Sequence, residues 1–176
     1  MTKRKNTRRI VVHCLLTDPS WHGPVSVDEV RRWHMDERGW ADVGYHAIIR
    51  HSGAIEIGRD EGAVGAHAVG YNLDSLAVAL EGGCDIRVQG GTSKLLITET
   101  ARHFTSMQFR SLEAWIKGKL VVYPEITEIC GHRDIPGVTK FCPSFDVRKW
   151  WLGVERRAAQ MALPFRKPPL GIPIED

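Results

Sequence analysis

The alternation of short β-branched runs with helices that carry their own start signals is the strongest constraint on how this chain can fold. The run from Arg8 to Leu16 is rich in Val, Ile and Leu and predicts a buried strand. Two capping boxes, Ser26–Glu29 and Thr105–Gln108, predict the beginnings of two helices. Strands that alternate with capped helices indicate an α/β fold, here a single domain with a central mixed β-sheet flanked by helices.

Further strands are predicted between and after these helices. They run from Gly44 to Arg50, from Ala54 to Gly58, from Leu76 to Glu81 and from Glu125 to Gly131. The first two form a predicted hairpin. The stretch from Cys84 to Lys94 is rich in glycine, and we interpret it as a loop.

Two helix boundaries are predicted from single residues. Gly118 is expected to end the helix that begins at Thr105, because glycine is the commonest residue just past a helix C-terminus. Ser144 is expected to cap the last helix, which is predicted to fade near Met161.

The two ends of the chain differ in composition from its middle. Five of the first nine residues are Lys or Arg, although the net charge of the whole chain is only +3. We interpret residues 1–8 as a basic flexible arm, residues 9–161 as the folded domain, and residues 162–176 as a Pro-rich tail. The arm is either solvated or in contact with an anionic partner.

The hydropathy of the chain predicts neither membrane insertion nor a signal peptide. No stretch is apolar for long enough to span a bilayer. The apolar run after the basic arm is short, contains His13 and lacks a small-x-small cleavage site. We therefore expect synthesis and folding in the cytoplasm. Under those conditions the four cysteines should be reduced.

The stretch from Gly131 to Ser144 combines residues that bind zinc tightly. His132 and Cys142 lie ten positions apart on a predicted loop. Catalytic zinc usually takes three protein ligands, and His13 is the best third candidate. Cys130 is a rival to Cys142 for the thiol. From the residues alone, a buried core role for His13, or a Cys–His hydrolase with Cys142 as nucleophile and His132 as base, stays open.

Motifs along nearly the whole folded part occur in the same order in one known family. They are Val12-His13-Cys14, Arg32-Trp33-His34, Gly39-Trp40, Asp42-Val43-Gly44-Tyr45-His46, Gly58-Arg59-Asp60-Glu61, Ala63-Val64-Gly65, His67-Ala68, Gly70-Tyr71-Asn72, Gly131-His132 and Cys142-Pro143-Ser144-Phe145-Asp146. On these motifs the chain resembles the zinc N-acetylmuramoyl-L-alanine amidases of the bacteriophage T-seven lysozyme type (amidase family 2), which are relatives of the peptidoglycan recognition proteins. It departs from that pattern by an apparent insertion at Ser93 to His103 and by the Pro-rich tail.

The resemblance implies a zinc enzyme that acts on peptidoglycan. It places one zinc ion on His13, His132 and Cys142. The implied reaction is hydrolysis of the lactyl-amide bond between N-acetylmuramic acid and L-alanine. The implied setting is a phage or prophage endolysin, which is made in the host cytoplasm and reaches the cell wall after the membrane is breached.

The resemblance also implies roles for three further residues. Tyr45 and Lys140 match the catalytic tyrosine and lysine of the family, and His67 matches a pocket histidine expected to bind substrate. Asp60 and Glu61 are adjacent acids on a predicted loop, and we interpret them as structural or solvated because neighbouring positions cannot easily flank a scissile bond.

Two other functions are compatible with the resemblance. Members that lack the metal cysteine bind peptidoglycan without cleaving it, and the presence of Cys142 argues against that function here. Some phage members also bind and restrain their phage RNA polymerase, a partner that the basic arm could contact. Otherwise we expect a monomer that binds peptidoglycan and does not bind DNA.

Overall fold

The structure, a computed structural model, describes residues 1–89, 92–96 and 101–162. Its strands are β1 (Arg9–Cys14), β2 (Ala47–Ile49), β3 (Ile55–Ile57), β4 (Ser75–Leu80), β5 (Asp85–Gln89), β6 (Thr92–Leu96) and β7 (Glu128–Gly131). Its α-helices are α1 (Pro19–His22), α2 (Val27–Arg32), α3 (Ser106–Val122) and α4 (Val147–Ala162). A π-helical turn, Trp33–Glu37, continues α2, and three short 3-10 turns are Asn72–Asp74, Ala101–His103 and His132–Asp134.

Five strands form one sheet in the order β3-β2-β4-β1-β7. Strands β2, β4, β1 and β7 run parallel, and β3 pairs antiparallel with β2. The predicted hairpin is therefore present at one edge of the sheet. A single domain with a mixed sheet flanked by helices is confirmed.

The two faces of the sheet are buried against different elements. On β1, Ile10, Val12 and Cys14 face the large core formed with α3 and α4. The alternate side chains Val11 and His13 point to the opposite face, since successive side chains on a strand alternate. That opposite face is covered by α2, by Tyr71 of the loop between β3 and β4, and by Ile135 of the loop after β7.

The interpretation of Cys84 to Lys94 as a loop is wrong. Strands β5 and β6 form a separate two-stranded antiparallel hairpin in which Asp85 pairs with Leu96. Glycine content therefore did not identify the conformation of this stretch, because strand pairing depends on a partner strand and not on composition. Residues 97–100 of the expected insertion and residues 163–176 of the expected tail lie outside the described residues.

Two helix boundaries also differ from the prediction. Helix α3 continues past Gly118 to Val122, and Gly118 lies where an added Cβ would meet nothing. A glycine inside a helix costs about 1 kcal/mol, which is less than the burial of Leu112 and Ile116 contributes. At the last helix, Asp146 Oδ1 accepts from Lys149 N–H at 2.9 Å and caps α4.

Ser144 does not cap α4 because its hydroxyl is used elsewhere. It is fully buried and donates a hydrogen bond to the carbonyl oxygen of Gly83. Serine and aspartate are equally good N-caps, so the choice between Ser144 and Asp146 is made by tertiary packing.

The basic N-terminal segment packs against the domain. The backbone N–H of Arg4 donates to Gly62 O at 2.7 Å, and Val64 N–H donates to Thr2 O at 2.8 Å. The Arg4 guanidinium donates to Thr7 Oγ1 at 3.0 Å and lies over the Tyr123 ring. These hydrogen bonds place residues 2–4 against the loop that follows β3.

No helix among the described residues combines the length and the apolar character needed to cross a membrane.

Candidate active site

The site lies at the carboxyl ends of two neighbouring parallel strands. Val12 of β1 pairs with Gly131 of β7, so the residues that follow them, His13 and His132, are neighbours across the sheet. Their ring centroids are 4.5 Å apart. Ligands of parallel α/β sheets commonly bind at this edge, because the chain leaves the sheet there and frees its side chains.

The loop after His132 returns Cys142 to the same place. Arg133 N–H donates to Cys142 O at 2.6 Å, which closes this loop. The Sγ of Cys142 is then 3.8 Å from Nδ1 of His13. His13, His132 and Cys142 each offer one ligand atom, and these atoms all lie within 4.8 Å of one another. The structure thus brings together the three residues expected to bind metal.

The protonation of the two imidazoles favours metal binding. Burial lowers the pKa of His13 well below its ordinary value, and the nearby His67 and His132 rings add to this effect. Burial also lowers the pKa of His132, assisted by the charge of Lys140. Both rings are therefore neutral at pH 7, the state in which a nitrogen lone pair is available to a cation.

The thiol of Cys142 is surrounded by groups that favour its ionisation. Cys14 donates toward its sulfur from the thiol, at 3.9 Å, and from the backbone N–H, at 3.4 Å. The hydrogen bond from the Cys14 thiol is the main cause that lowers the pKa of Cys142, although burial opposes it. The charge of Lys140 acts in the same direction. A thiolate is the form that binds zinc.

The two other cysteines near this edge have different environments. Cys14 points into the core, as the alternation of β1 predicts. From the core side, its sulfur contacts the sulfur of Cys142. The sequence did not reveal this contact. Cys130, the rival thiol, packs in a small apolar cluster with Val11 and Ile135, and burial raises its pKa to about 12. It is not part of the metal-binding group.

The candidate metal-binding group, formed by His13, His132 and Cys142, lies on the floor of a cleft of about 340 Å³. One wall comes from the π-helical turn after α2, which contributes Trp33, His34 and Glu37, followed by Arg38. A π-helical turn changes which side chains face one side of a helix, and such turns are frequent at functional sites. The capping box at Ser26 predicted the beginning of the helix before this turn but not the irregularity.

The two residues expected to be catalytic also line this cleft. The Tyr45 ring lies between the rings of His13 and His34, at centroid distances of 5.1 and 5.5 Å. Burial raises the pKa of Tyr45 well above its ordinary value, so its phenol stays protonated. Lys140 is exposed at the mouth of the cleft.

His67 lines the cleft from behind His13. Its Nδ1 is 3.1 Å from Nε2 of His13, and the two rings meet edge to face at 87°. Its Nε2 is 3.2 Å from Oγ of Ser75. Both nitrogens of the ring are thus engaged by the protein, and Ser75 is a residue that sequence reasoning did not connect with the site.

Comparison with protein families decides the affiliation of the chain. Residues 3–145 match the family described as N-acetylmuramoyl-L-alanine amidase. The chain belongs to that amidase family. It is 42% identical over 149 residues to the endolysin of Escherichia phage T7, and the match covers 85% of this chain and 88% of that protein.

Solved structures of the family share the fold. The N-acetylmuramoyl-L-alanine amidase LysCS endolysin from Clostridium intestinale is 25% identical, with a TM-score of 0.66 over 88% of this chain and 91% of that chain. Drosophila peptidoglycan recognition protein LB is 21% identical, with a TM-score of 0.58 over 94% of this chain and 86% of that chain. The resemblance to phage amidases and to peptidoglycan recognition proteins is therefore confirmed.

Proposed function

We propose that this amidase is a zinc-dependent phage or prophage endolysin. Its reaction is hydrolysis of the amide between the lactyl group of N-acetylmuramic acid and L-alanine in peptidoglycan. The observation that carries the proposal is the group formed by His13, His132 and Cys142 on the floor of an open cleft. The 42% sequence identity to a phage endolysin supports the biological setting.

The residues present fit a catalytic zinc ion. Tetrahedral zinc with one imidazole and one thiolate ligand places the two donor atoms about 3.5 Å apart. The observed separation of His13 Nδ1 and Cys142 Sγ is 3.8 Å. Two neutral imidazoles and one thiolate would leave the ion with net positive charge and a coordination position toward the cleft. When bound, zinc supplies Lewis acidity and activates water near neutral pH.

We assign Tyr45 and Lys140, which both line the cleft, to the reacting carbonyl group. The protonated phenol of Tyr45 can donate a hydrogen bond to the carbonyl oxygen or orient the attacking water. The ammonium group of Lys140, at the cleft mouth, can stabilise the negative charge that develops on the oxygen. Such stabilisation is effective because the donors are in place before the reaction begins.

The carboxylate content of the cleft argues for amide hydrolysis over glycoside hydrolysis. Glycosidases generally use two carboxylates that flank the scissile bond. Among the described residues that line the cleft, Glu37 is the one carboxylate. A cation-binding floor with a lysine beside it suits attack on an acyl carbon.

The proposed setting includes the route to the substrate. The protein would be made in the host cytoplasm and act on the wall as a monomer after another protein has opened the membrane. Cys14, Cys130 and Cys142 form no disulfide bonds. Reduced cysteines are in keeping with synthesis in the cytoplasm, where thiols are kept reduced.

Digestion of purified peptidoglycan tests the proposal. We expect new L-alanine amino termini and no new reducing sugar ends. Activity should be lost on chelation and return with added zinc. New reducing ends without new amino termini would refute the amidase assignment. Activity that survives complete removal of metal would refute zinc dependence and favour Cys142 as a nucleophile.

A further inference from the structure

A hydrogen-bonded chain runs from the metal-binding floor into the protein behind His13. His13 Nε2 is 3.1 Å from His67 Nδ1, and His67 Nε2 is 3.2 Å from Ser75 Oγ. The Ser75 hydroxyl donates to the backbone carbonyl oxygen of Tyr71 at 2.6 Å. The free end of the chain is Nδ1 of His13, which faces Cys142 Sγ.

The carbonyl at the inner end determines the direction of every hydrogen bond. A carbonyl oxygen can only accept, so the proton of Ser75 points to Tyr71. Ser75 Oγ must then accept from His67 Nε2–H, which leaves His67 Nδ1 without a proton. That nitrogen in turn accepts from His13 Nε2–H. His13 Nδ1 is left with its lone pair, directed at the metal position.

The surrounding backbone is built to hold His67 in this place. The backbone N–H groups of His67 and Ala68 both donate to Asn72 Oδ1, at 2.9 and 2.8 Å. Gly65 makes room for the ring: a Cβ at that position would lie 2.5 Å from His67 Cδ2. Ser75 is completely buried at the start of β4. Each member of the chain is therefore anchored by a separate element.

We propose that His67 and Ser75 are positioning residues that hold His13 in the Nε2–H tautomer, with Nδ1 toward the metal. This inference rests on the proposed zinc site. It also gives His67 a different role from the substrate binding expected from the sequence, because both of its ring nitrogens are used within the protein. Outer hydrogen bonds to a metal-binding histidine orient the ring and make it a stronger ligand.

Four variants separate this role from simple packing. His67→Leu removes the acceptor for His13, whereas His67→Asn keeps an oxygen near the position of Nδ1. Ser75→Ala removes the acceptor for His67, whereas Ser75→Thr keeps a hydroxyl. Zinc affinity of the full chain is measured by competition with a chromogenic chelator, and thermal unfolding is followed in parallel.

We expect zinc to bind about tenfold to a hundredfold more weakly in His67→Leu, the usual cost of removing such a partner. Ser75→Ala should weaken binding in the same direction. His67→Asn and Ser75→Thr should recover most of the loss. Unchanged zinc affinity in both His67→Leu and Ser75→Ala would overturn the proposal. So would equal losses in the conservative and disruptive variants.

A spectroscopic measurement tests the tautomers directly. Long-range proton–nitrogen correlation spectra of the histidine rings in the zinc-loaded protein should show His67 protonated at Nε2 and bare at Nδ1. Protonation of His67 at Nδ1 would reverse the chain and overturn the proposal. A wild-type protein that gives this result and binds zinc, but releases no L-alanine termini, would refute the proposed function and leave this inference intact.

Discussion

His46, which directly follows Tyr45, should make the stability of the protein depend on pH. Its ring is buried, with Nδ1 accepting from Ala77 N–H at 3.0 Å and Nε2–H donating to Ala63 O at 3.1 Å. A second proton would break the bond to Ala77 and place a cation beside the Arg4 guanidinium, 3.2 Å away. Burial is the main cause that lowers the pKa of His46 to about 4.

The size of the effect follows from the pKa values. In the unfolded chain His46 should titrate at its ordinary value of 6.5, so between pH 6.5 and 4 the unfolded state binds a proton that the folded state does not. Stability is therefore full above pH 6.5 and falls as the pH falls toward 4. Within this interval each pH unit is worth about 1.4 kcal/mol. The free energy of unfolding should therefore be about 2 kcal/mol lower at pH 5 than above pH 6.5.

A matched variant isolates this contribution. His46→Gln keeps an N–H near Ala63 O but has no charge at any pH and loses the acceptor for Ala77. It should be about 1 kcal/mol less stable than wild type at pH 7.5, the cost of one buried hydrogen bond. Urea unfolding at pH 7.5 and pH 5 gives the difference in the free energy of unfolding between wild type and variant. The contributions of the other histidines are the same in both proteins and cancel in this difference. We expect the difference to shrink or reverse at pH 5. A constant difference would refute the reasoning.

Further predictions concern the metal, the reaction and the fold. Cys142→Ser should lose most of its zinc by elemental analysis, whereas the control Cys130→Ser should keep it; the opposite pattern would exchange their roles. Tyr45→Phe should keep zinc and lose about a hundredfold in amidase turnover, as for removal of a transition-state donor. Lys140→Ala should behave in the same way, and wild-type turnover would remove either residue from the mechanism. Gln108→Leu should lower the free energy of unfolding by about 3 kcal/mol, because its buried amide makes three hydrogen bonds; a loss below 1 kcal/mol by urea unfolding would contradict this.

Several elements were predictable because their signals are local. The capping box at Thr105 is present, with Thr105 Oγ1 accepting from Gln108 N–H at 3.1 Å. At Ser26 the serine half of the predicted box is present, with Ser26 Oγ accepting from Glu29 N–H at 3.2 Å. The apolar run around β1 predicted its strand, because a buried strand needs apolar side chains on both faces.

Other features were not predictable because their deciding partners are far away in the chain. The loop interpretation of Cys84 to Lys94 failed because pairing of β5 with β6 depends on register and not on glycine content. The prediction of Ser144 as the cap of the last helix failed because its hydroxyl donates to the carbonyl oxygen of Gly83, which is 61 positions away in the chain. Similarly, α3 continues through Gly118 because side chains such as Leu112 and Ile116 are buried against distant parts of the chain.

For the site, the sequence by itself determined the chemistry, and the tertiary structure decided the arrangement. His13, His132 and Cys142 could be named as candidate metal ligands because imidazole and thiol groups in family motifs carry that information in their identity. Their convergence depends on the parallel register of β1 with β7 and on the loop that returns Cys142. The hydrogen bonds from His13 through His67 to Ser75 appear only in the fold, because contacts between distant segments leave no periodic or local signal in a single sequence.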